Sequence, residues 1–79
     1  MLTIGKRLKY EDIPKLLVGT CIKYDSGAIY EIIKIWGNNS VDLRNMSTLD
    51  ICDHYTITRS AAESFTIRKL PKYIKGERM

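Results

Sequence analysis

Apolar residues alternate with polar ones through the first half of this chain, and two glycine-marked turns divide them into three runs. Residues Val18 to Leu43 read, in order, VGTCIKY, DSG, AIYEIIKIW, GNN and SVDL. Alternation with a period of two is typical of β-strands that bury one face, and short breaks containing Gly are typical of hairpins. We therefore predict a β-meander of three strands over this segment.

The first strand and its hairpin are predicted between residues 18 and 27. The side chains predicted to share the buried face are Val18, Thr20, Ile22 and Tyr24. Asp25-Ser26-Gly27 then forms the hairpin loop, because Asp bonds to the backbone that follows and Gly27 takes the positive φ of a type I turn with a bulge. This loop sets the register of the hairpin.

The second run, Ala28 to Trp36, is apolar at both odd and even positions. A strand buried on both sides, or one that bends and changes faces, explains this pattern, and small barrels have such a strand at a corner. After a turn at residues 37–39, Val41 and Leu43 are predicted to face the core. The third strand is therefore amphipathic.

The remainder of the chain predicts two further strands separated by one helical turn. The core positions predicted for the fourth strand are Leu49, Ile51, Tyr55 and Ile57. Ser60 and Glu63 have the spacing of a capping box, which begins a helix. A fifth strand follows from Phe65 to Leu70 and ends at Pro71, which has no N–H for a ladder.

The first 17 residues precede this sheet and include a proline. Pro14 favours an extended Ile13 and permits one helical turn over residues 14–17. We predict that Tyr10 to Leu17 is a lead-in that covers one open end of the core. A chain of 79 residues has room for one domain, so residues 1–79 are predicted to form a single unit, with the sheet at about 18–70 and basic extensions at both ends.

This order of elements resembles that of the small five-stranded barrels of the Tudor and KOW type. The residues that carry the resemblance are Val18-Gly19-Thr20, Gly27, Tyr30-Glu31-Ile32, residues 37–43 and residues 60–65. The resemblance implies a mainly β fold: an SH3-like, five-stranded antiparallel barrel with a short N-terminal helical turn and one helical turn before the last strand. It also implies binding of nucleic acid or peptide segments. No aromatic cage pattern for methylated side chains is evident, and the glycine-rich KOW signature is incomplete. We therefore infer neither a methylated side chain nor the specific ligand of KOW domains.

Composition and cysteine usage place the chain in a broad class. It is 44% hydrophobic and 28% charged, which is the composition of a folded protein. No stretch approaches the about 20 apolar residues of a membrane span, and the N-terminus lacks the apolar region of a secretory signal. We expect a soluble, cytoplasmic protein without a membrane partner, in which Cys21 and Cys52 stay thiols.

Groups suited to catalysis or metal binding are scarce. The only histidine, His54, forms a C-x-H pair with Cys52, and no Cys-x-x-Cys spacing occurs. Residues i and i+2 of a strand stand side by side, and no third group is in place to orient the imidazole. The sequence therefore predicts a protein that is not an enzyme and that carries no metal and no cofactor.

Positive charge is concentrated at the two ends of the chain. Residues 1–15 contain four basic and two acidic residues, and residues 66–79 contain five basic and one acidic. Phosphates attract clustered Lys and Arg, and aromatic rings stack on unpaired bases. We therefore predict binding of RNA or single-stranded DNA. The candidate residues for binding nucleic acid or a partner are Lys6, Arg7, Lys9, Tyr10, Trp36, Arg68, Lys69, Lys72, Tyr73 and Lys75.

Trp36 precedes the Gly-Asn-Asn turn and has two interpretations. It is either an exposed platform for stacking or protein contact, as Trp often is in interfaces, or a core residue. As the only Trp of an Ile-rich protein, it is predicted to fill core volume, but it stays among the candidate binding residues because its burial decides between the two interpretations.

The alternative function is that of a small protein-binding inhibitor or regulator. Such a chain, encoded by a phage or mobile element, would block a larger host enzyme or a defence complex. Its edge strands could add to the sheet of a host protein or of a second copy, which makes a homodimer a candidate assembly. A core of this size contributes only about 3–5 kcal/mol to the stability of the folded state. Association with a second chain would add to this stability, which also favours a homodimer or a complex.

Overall fold

Five strands form one antiparallel sheet in this computed structural model, which describes residues 2–71. The strands are β1 (Cys21–Tyr24), β2 (Ile29–Gly37), β3 (Ser40–Asn45), β4 (Ile51–Thr56) and β5 (Phe65–Lys69). Their spatial order is β4-β3-β2-β1-β5. A 3₁₀ helix (Tyr10–Lys15) precedes β1, and a one-turn helix α1 (Arg59–Ala62) separates β4 from β5. The prediction of a mainly β domain with short helical turns at these two places is confirmed.

Both hairpin turns of the meander have the backbone that their residues favour. Gly27 lies at φ 101° and donates its N–H to the Tyr24 carbonyl at 2.8 Å, while the Tyr24 N–H donates to Ala28. Asn38 and Asn39 have φ of 51° and 64°, as a two-residue type I′ turn requires. The predicted turns are confirmed at both places.

β1 begins later than predicted. Gly19 adopts φ 99°, and the Thr20 N–H donates to the Leu17 carbonyl at 3.1 Å, so a turn occupies the start of the predicted strand. Val18 is exposed, whereas Thr20 and Ile22 are fully buried. The assignment of Val18 to the buried face is wrong because the turn takes it out of the sheet.

β2 bends rather than burying both faces. Its pairing with β3 shifts register between Ile32 and Lys34 and again between Ile35 and Gly37, which marks two irregularities of the kind that bend and twist a strand. Ile32 is fully buried, whereas Ile35 is 40% exposed. Of the two explanations for its apolar run, the bent strand is the one observed.

The core positions predicted for β4 are correct only toward its C-terminal end. Tyr55 packs against the core and Ile57 is fully buried. Leu49 is 63% exposed and Ile51 is 54% exposed, so their assignment to the core is wrong.

A bulge in β4 explains this change of face. Leu43 pairs with Cys52 while Val41 pairs with Tyr55, so β4 has one residue more than β3 between these pairs. His54, inside the bulge, has φ 51°, a conformation uncommon for a side chain with a Cβ. The extra residue reverses the alternation, so positions before and after it do not share a face.

The two helical segments begin at residues other than those predicted. The 3₁₀ helix starts at Tyr10 and contains both Ile13 and Pro14, so the prediction of an extended Ile13 is wrong. Burial of Ile13 offsets the weak preference that the proline imposes. In α1, the Thr58 side chain accepts from the Ala61 N–H at 3.2 Å, which makes Thr58 the N-cap. The predicted capping box beginning at Ser60 is therefore wrong by two residues.

The chain before the 3₁₀ helix covers the outer side of β5. The Gly5 N–H donates to the Ile67 carbonyl at 2.8 Å, the Ile67 N–H donates to Lys6 at 2.9 Å, and the Leu8 N–H donates to Phe65 at 2.9 Å. On the opposite side β5 pairs with β1. The ring of Phe65 also lies 6.5 Å from that of Tyr55, so the curled sheet brings the side chains of β5 and β4 together.

The hydrophobic core combines residues from the N-terminal segment, the 3₁₀ helix, α1 and the sheet. Its buried members are Leu8, Ile13, Leu16, Ile22, Ile32, Val41, Leu43, Ile57, Ala62, Phe65 and Ile67. Over residues 2–71, no helix has the length and apolar character needed to cross a membrane.

We predict that Ile32→Ala lowers the free energy of unfolding by about 2–5 kcal/mol, because it leaves a cavity in a core with little room to relax. Urea denaturation followed by circular dichroism measures the change. Ile35→Ala, on the same strand but 40% exposed, is the matched control and should cost much less. Equal losses in the two variants would contradict the core as described.

Candidate functional site

The ten basic residues within 2–71 fall into three groups by what lies next to them. Three form ion pairs at 2.8–3.7 Å: Arg7 with Asp25, Lys15 with Asp12, and Arg44 with Glu31. Two lie over aromatic rings: Lys34 over Trp36 and Arg59 over Tyr10. In the described part of the chain, five have neither a carboxylate nor a ring: Lys6, Lys9, Lys23, Arg68 and Lys69.

These five unpaired cations lie on three neighbouring segments at one side of the sheet. β5 carries Arg68 and Lys69, and it has the N-terminal segment along one edge and β1 along the other. Thr66 of β5 stands opposite both Lys23 and Arg7. Sheet topology thus brings together positive charge that is more than 40 residues apart in sequence.

A groove of about 620 Å³ runs between these three segments, and we call it the basic groove. Gly5, Lys23, Thr66 and Arg68 are among the residues that line it. Asp25 also lines the groove, but its carboxylate accepts a hydrogen bond from the Arg7 guanidinium at 2.8 Å. The positive charges of Lys23 and Arg68 are therefore left without a counter-charge within the described residues.

Arg7 is held in a structural contact. One nitrogen of its guanidinium donates to Asp25 and to the Glu63 carbonyl, both at 2.8 Å. Those bonds tie the N-terminal segment to the β1–β2 hairpin and to the end of α1. Among the predicted site residues that lie within 2–71, Arg7 is thus the one whose charge is already engaged by a carboxylate.

Tyr10 is half-buried against the core and engaged on its ring and its hydroxyl. The Arg59 guanidinium lies 4.4 Å from the ring centroid, and the Asn39 amide donates to the hydroxyl at 3.1 Å. These contacts leave little of the ring open to a base. Lys9, its neighbour in sequence, is exposed.

Trp36 lies at the surface, 45% exposed, so the prediction that it fills the core is wrong. Its indole N–H donates to Asp42 at 2.6 Å, and the His54 ring stacks on it with centroids 3.9 Å apart. The Lys34 ammonium lies 3.7 Å from the ring centroid. We call these four residues the tryptophan cluster.

Asp42 holds the tryptophan cluster together. Its carboxylate also accepts from the backbone N–H of His54 at 2.8 Å, in the β4 bulge that places the imidazole over the indole. This bond and the one from Trp36 lower the pKa of Asp42 below its ordinary value. The carboxylate is therefore charged at neutral pH, and of its two charge-assisted hydrogen bonds one holds the indole of Trp36 and the other the backbone of His54.

A third site collects the aromatic residues on the inner side of the curled sheet. The rings of Tyr24, Tyr30 and Tyr55 lie 5.2, 6.4 and 6.5 Å from the ring of Phe65. They surround a cavity of about 190 Å³, which we call the aromatic pocket. Its lining consists of Tyr24, Tyr30, Leu43, Cys52, Tyr55 and Phe65.

Reasoning from the sequence missed this pocket, because the four rings come from four different strands. The visible signal was an aromatic residue near one end of β1, β2, β4 and β5. Burial raises the pKa of Tyr55, and the neighbouring Tyr24, Cys52 and Tyr30 add to the effect. The Tyr55 hydroxyl therefore keeps its proton and can donate.

The two cysteines have different environments. Cys21 is buried and Cys52 is exposed, and both are free thiols. Burial raises the pKa of the Cys21 thiol, and Glu31 adds to this while Lys69 and Arg68 oppose it. Over the described range, no three His, Cys, Asp or Glu side chains form a group that could hold a metal ion.

Of the predicted site residues, the structure brings Lys6, Lys9, Arg68 and Lys69 to one side of the sheet and places Trp36 in a separate cluster. Lys72, Tyr73 and Lys75 lie outside the described residues. Lys23, which lines the basic groove, was missed, because its charge lies in a segment of net negative charge.

No model of a protein family matches the chain, and neither does any curated protein or solved structure.

We predict that Asp42→Asn lowers stability at neutral pH and that its deficit shrinks on acidification. Because the folded-state pKa of Asp42 is depressed, the carboxylate contributes stability above about pH 4, and this is lost as the pH falls through the folded pKa. Urea denaturation of both proteins, followed by the fluorescence of Trp36, measures the difference. A deficit that does not change between neutral and acid pH would contradict the role given to this carboxylate.

Proposed function

We propose that this protein is a non-catalytic module that binds RNA or single-stranded DNA at the basic groove. The observation that carries the proposal is the gathering of the unpaired cations on the N-terminal segment, β1 and β5. Each Lys or Arg that neutralises a phosphate releases a condensed counterion, so a cluster of such groups is what a polyanion requires.

Two basic residues outside the basic groove are paired with carboxylates, which favours the groove as the binding site for a polyanion. Arg44 is paired with Glu31 and Lys15 with Asp12, so these cations offer less net charge to a ligand. In the basic groove Arg7 neutralises Asp25, which is the one carboxylate that lines the groove among residues 2–71. A polyanion in the groove is therefore repelled less by Asp25 than it would be by an unpaired carboxylate.

We also propose that the curled sheet forms a small barrel. Four consecutive antiparallel strands, two irregularities in β2 and the approach of β4 to β5 through Tyr55 and Phe65 support an SH3-like barrel of the Tudor and KOW type. Proteins of this type bind nucleic acid or peptides, an analogy that supports the class of ligand without determining it. Lys72, Tyr73 and Lys75 follow β5 in sequence and are proposed to extend the site.

We predict that replacing both Lys23 and Arg68 by Ala weakens binding of a single-stranded oligonucleotide severalfold at low salt. The plot of log affinity against log salt has a negative slope, and this slope should become shallower by roughly 1.4. The figure corresponds to about 0.7 for each of the two phosphates that the variant no longer neutralises. Fluorescence anisotropy over a salt series measures both quantities. Lys15→Ala, in which an exposed cation outside the groove is removed, is the control. An unchanged slope in the double variant, or an equal change in the control, would refute the proposed groove.

A second candidate function, a protein-binding inhibitor or regulator of a larger host protein, is favoured by the apolar surface at β4. Leu49 and Ile51 are 63% and 54% exposed, and Met46 is exposed beside them in sequence. β4 also forms the end of the sheet opposite β5. An edge strand with exposed apolar side chains is suited to pairing with another sheet.

If this second function holds, replacing Leu49 and Ile51 by Ser, which adds no charge, should abolish retention of a specific host protein while leaving oligonucleotide affinity unchanged. Affinity capture from the source cells at low and high salt measures retention, since an apolar contact survives salt that removes nucleic acid. Retention of the same protein by the double variant would count against β4 as the contact.

A further inference from the structure

The aromatic pocket has the shape of a box with an apolar floor. Phe65 is almost fully buried, and the rings of Tyr24, Tyr30 and Tyr55 are inclined to its plane by 63°, 86° and 89°. The space between them measures about 190 Å³. A cavity of about 150 Å³ is large enough to bind benzene, so this one has room for a single flat ring.

The lining of the pocket is uncharged but not wholly apolar. Its six residues include three tyrosines and the exposed Cys52, and none carries a carboxylate, ammonium or guanidinium group. Within residues 2–71, the hydroxyls of Tyr24, Tyr30 and Tyr55 have no hydrogen-bond partner. This combination favours a neutral, flat ligand with polar atoms along its edge, which is the chemistry of a nucleobase.

Tyr24 lines both the aromatic pocket and the basic groove. The residue before it, Lys23, also lines the groove, and neighbouring side chains of a strand point to opposite faces. The end of β1 therefore has a cation toward one face of the sheet and an aromatic ring toward the other. A nucleotide carries an anionic phosphate beside a flat base, so its two parts match these two surfaces.

We propose that the aromatic pocket holds one unstacked base of a single nucleic-acid strand whose phosphates lie in the basic groove. This inference rests on the proposed function, since it assigns a second part of the same ligand. The strand crosses the sheet at the end of β1, beside the 25–27 loop. Stacking on the tyrosine rings contributes affinity for any base, while the free hydroxyls add hydrogen bonds to its edge.

Comparison of two strands of equal length tests the pocket separately from the groove. One is an oligothymidylate and the other an abasic deoxyribose-phosphate strand, which has the same charge but no bases. The wild-type protein should bind the oligothymidylate at least about fivefold more tightly in anisotropy titrations. Equal affinity would overturn the pocket and leave the groove in place, whereas binding of neither strand would overturn the proposed function as well.

The thiol of Cys52 gives a direct measure of occupancy, because it lines the pocket and is exposed. Saturating oligothymidylate should slow its alkylation by N-ethylmaleimide several-fold, whereas saturating abasic strand should not. Cys21 is buried and serves as an internal reference for unfolding. Equal protection of Cys52 by the two strands, or no protection by either, would contradict an inserted base.

One variant of the aromatic pocket and one of the basic groove separate the contributions of the two surfaces. Tyr55→Leu keeps an apolar side chain but removes a ring, so it should abolish the preference for the oligothymidylate and leave affinity for the abasic strand unchanged. Lys23→Ala should weaken both strands by the same factor. Thermal melting monitors folding, and Tyr24→Leu, at a more exposed position, replaces Tyr55→Leu if the latter does not fold. If the folded Tyr55→Leu or Tyr24→Leu variant still binds the oligothymidylate more tightly than the abasic strand by the wild-type factor, the proposal is refuted.

Discussion

The contact on which most of this structure depends is the packing of three tyrosine rings around Phe65. Phe65 begins β5, and its ring touches residues of β1, β2 and β4. Because β4 and β5 lie at opposite ends of the sheet, a ring that reaches both requires the sheet to curl around the core. The same contact closes one end of the core and forms the floor of the aromatic pocket. Stability and the candidate binding surface thus share one side chain.

Irregular pairing determines which other side chains reach the surface. The irregularities in β2 and the bulge in β4 bend the strands, and the bulge also reverses the alternation of β4. One result is that Leu49 and Ile51 face solvent. Another is that the His54 backbone and the indole of Trp36 meet at one carboxylate, Asp42, which holds both with hydrogen bonds. These two hydrogen bonds lower the pKa of Asp42, and the charge of Lys34 adds to the effect.

Much of the fold could be predicted from local physics. Gly27, Asn38 and Asn39 supply the positive φ that the two hairpin turns require, and β5 ends at Lys69, two residues before Pro71. Alternation over Val41 and Leu43 correctly predicted a strand and its buried face. Each of these features depends on residues close together in sequence, where propensity and turn geometry act directly.

The sequence by itself determined the strands, their hairpins and the basic character of the two ends. Only the tertiary structure decided that Trp36 is exposed, that Lys23 joins Arg68 in one groove, and that an aromatic pocket exists. These outcomes follow from register shifts and from the curl of the sheet, which depend on contacts between distant residues. The same alternation of apolar and polar residues is compatible with more than one register and curl of the five strands, and these differ in which side chains meet. No local pattern could therefore predict the groove, the pocket or the exposure of Trp36.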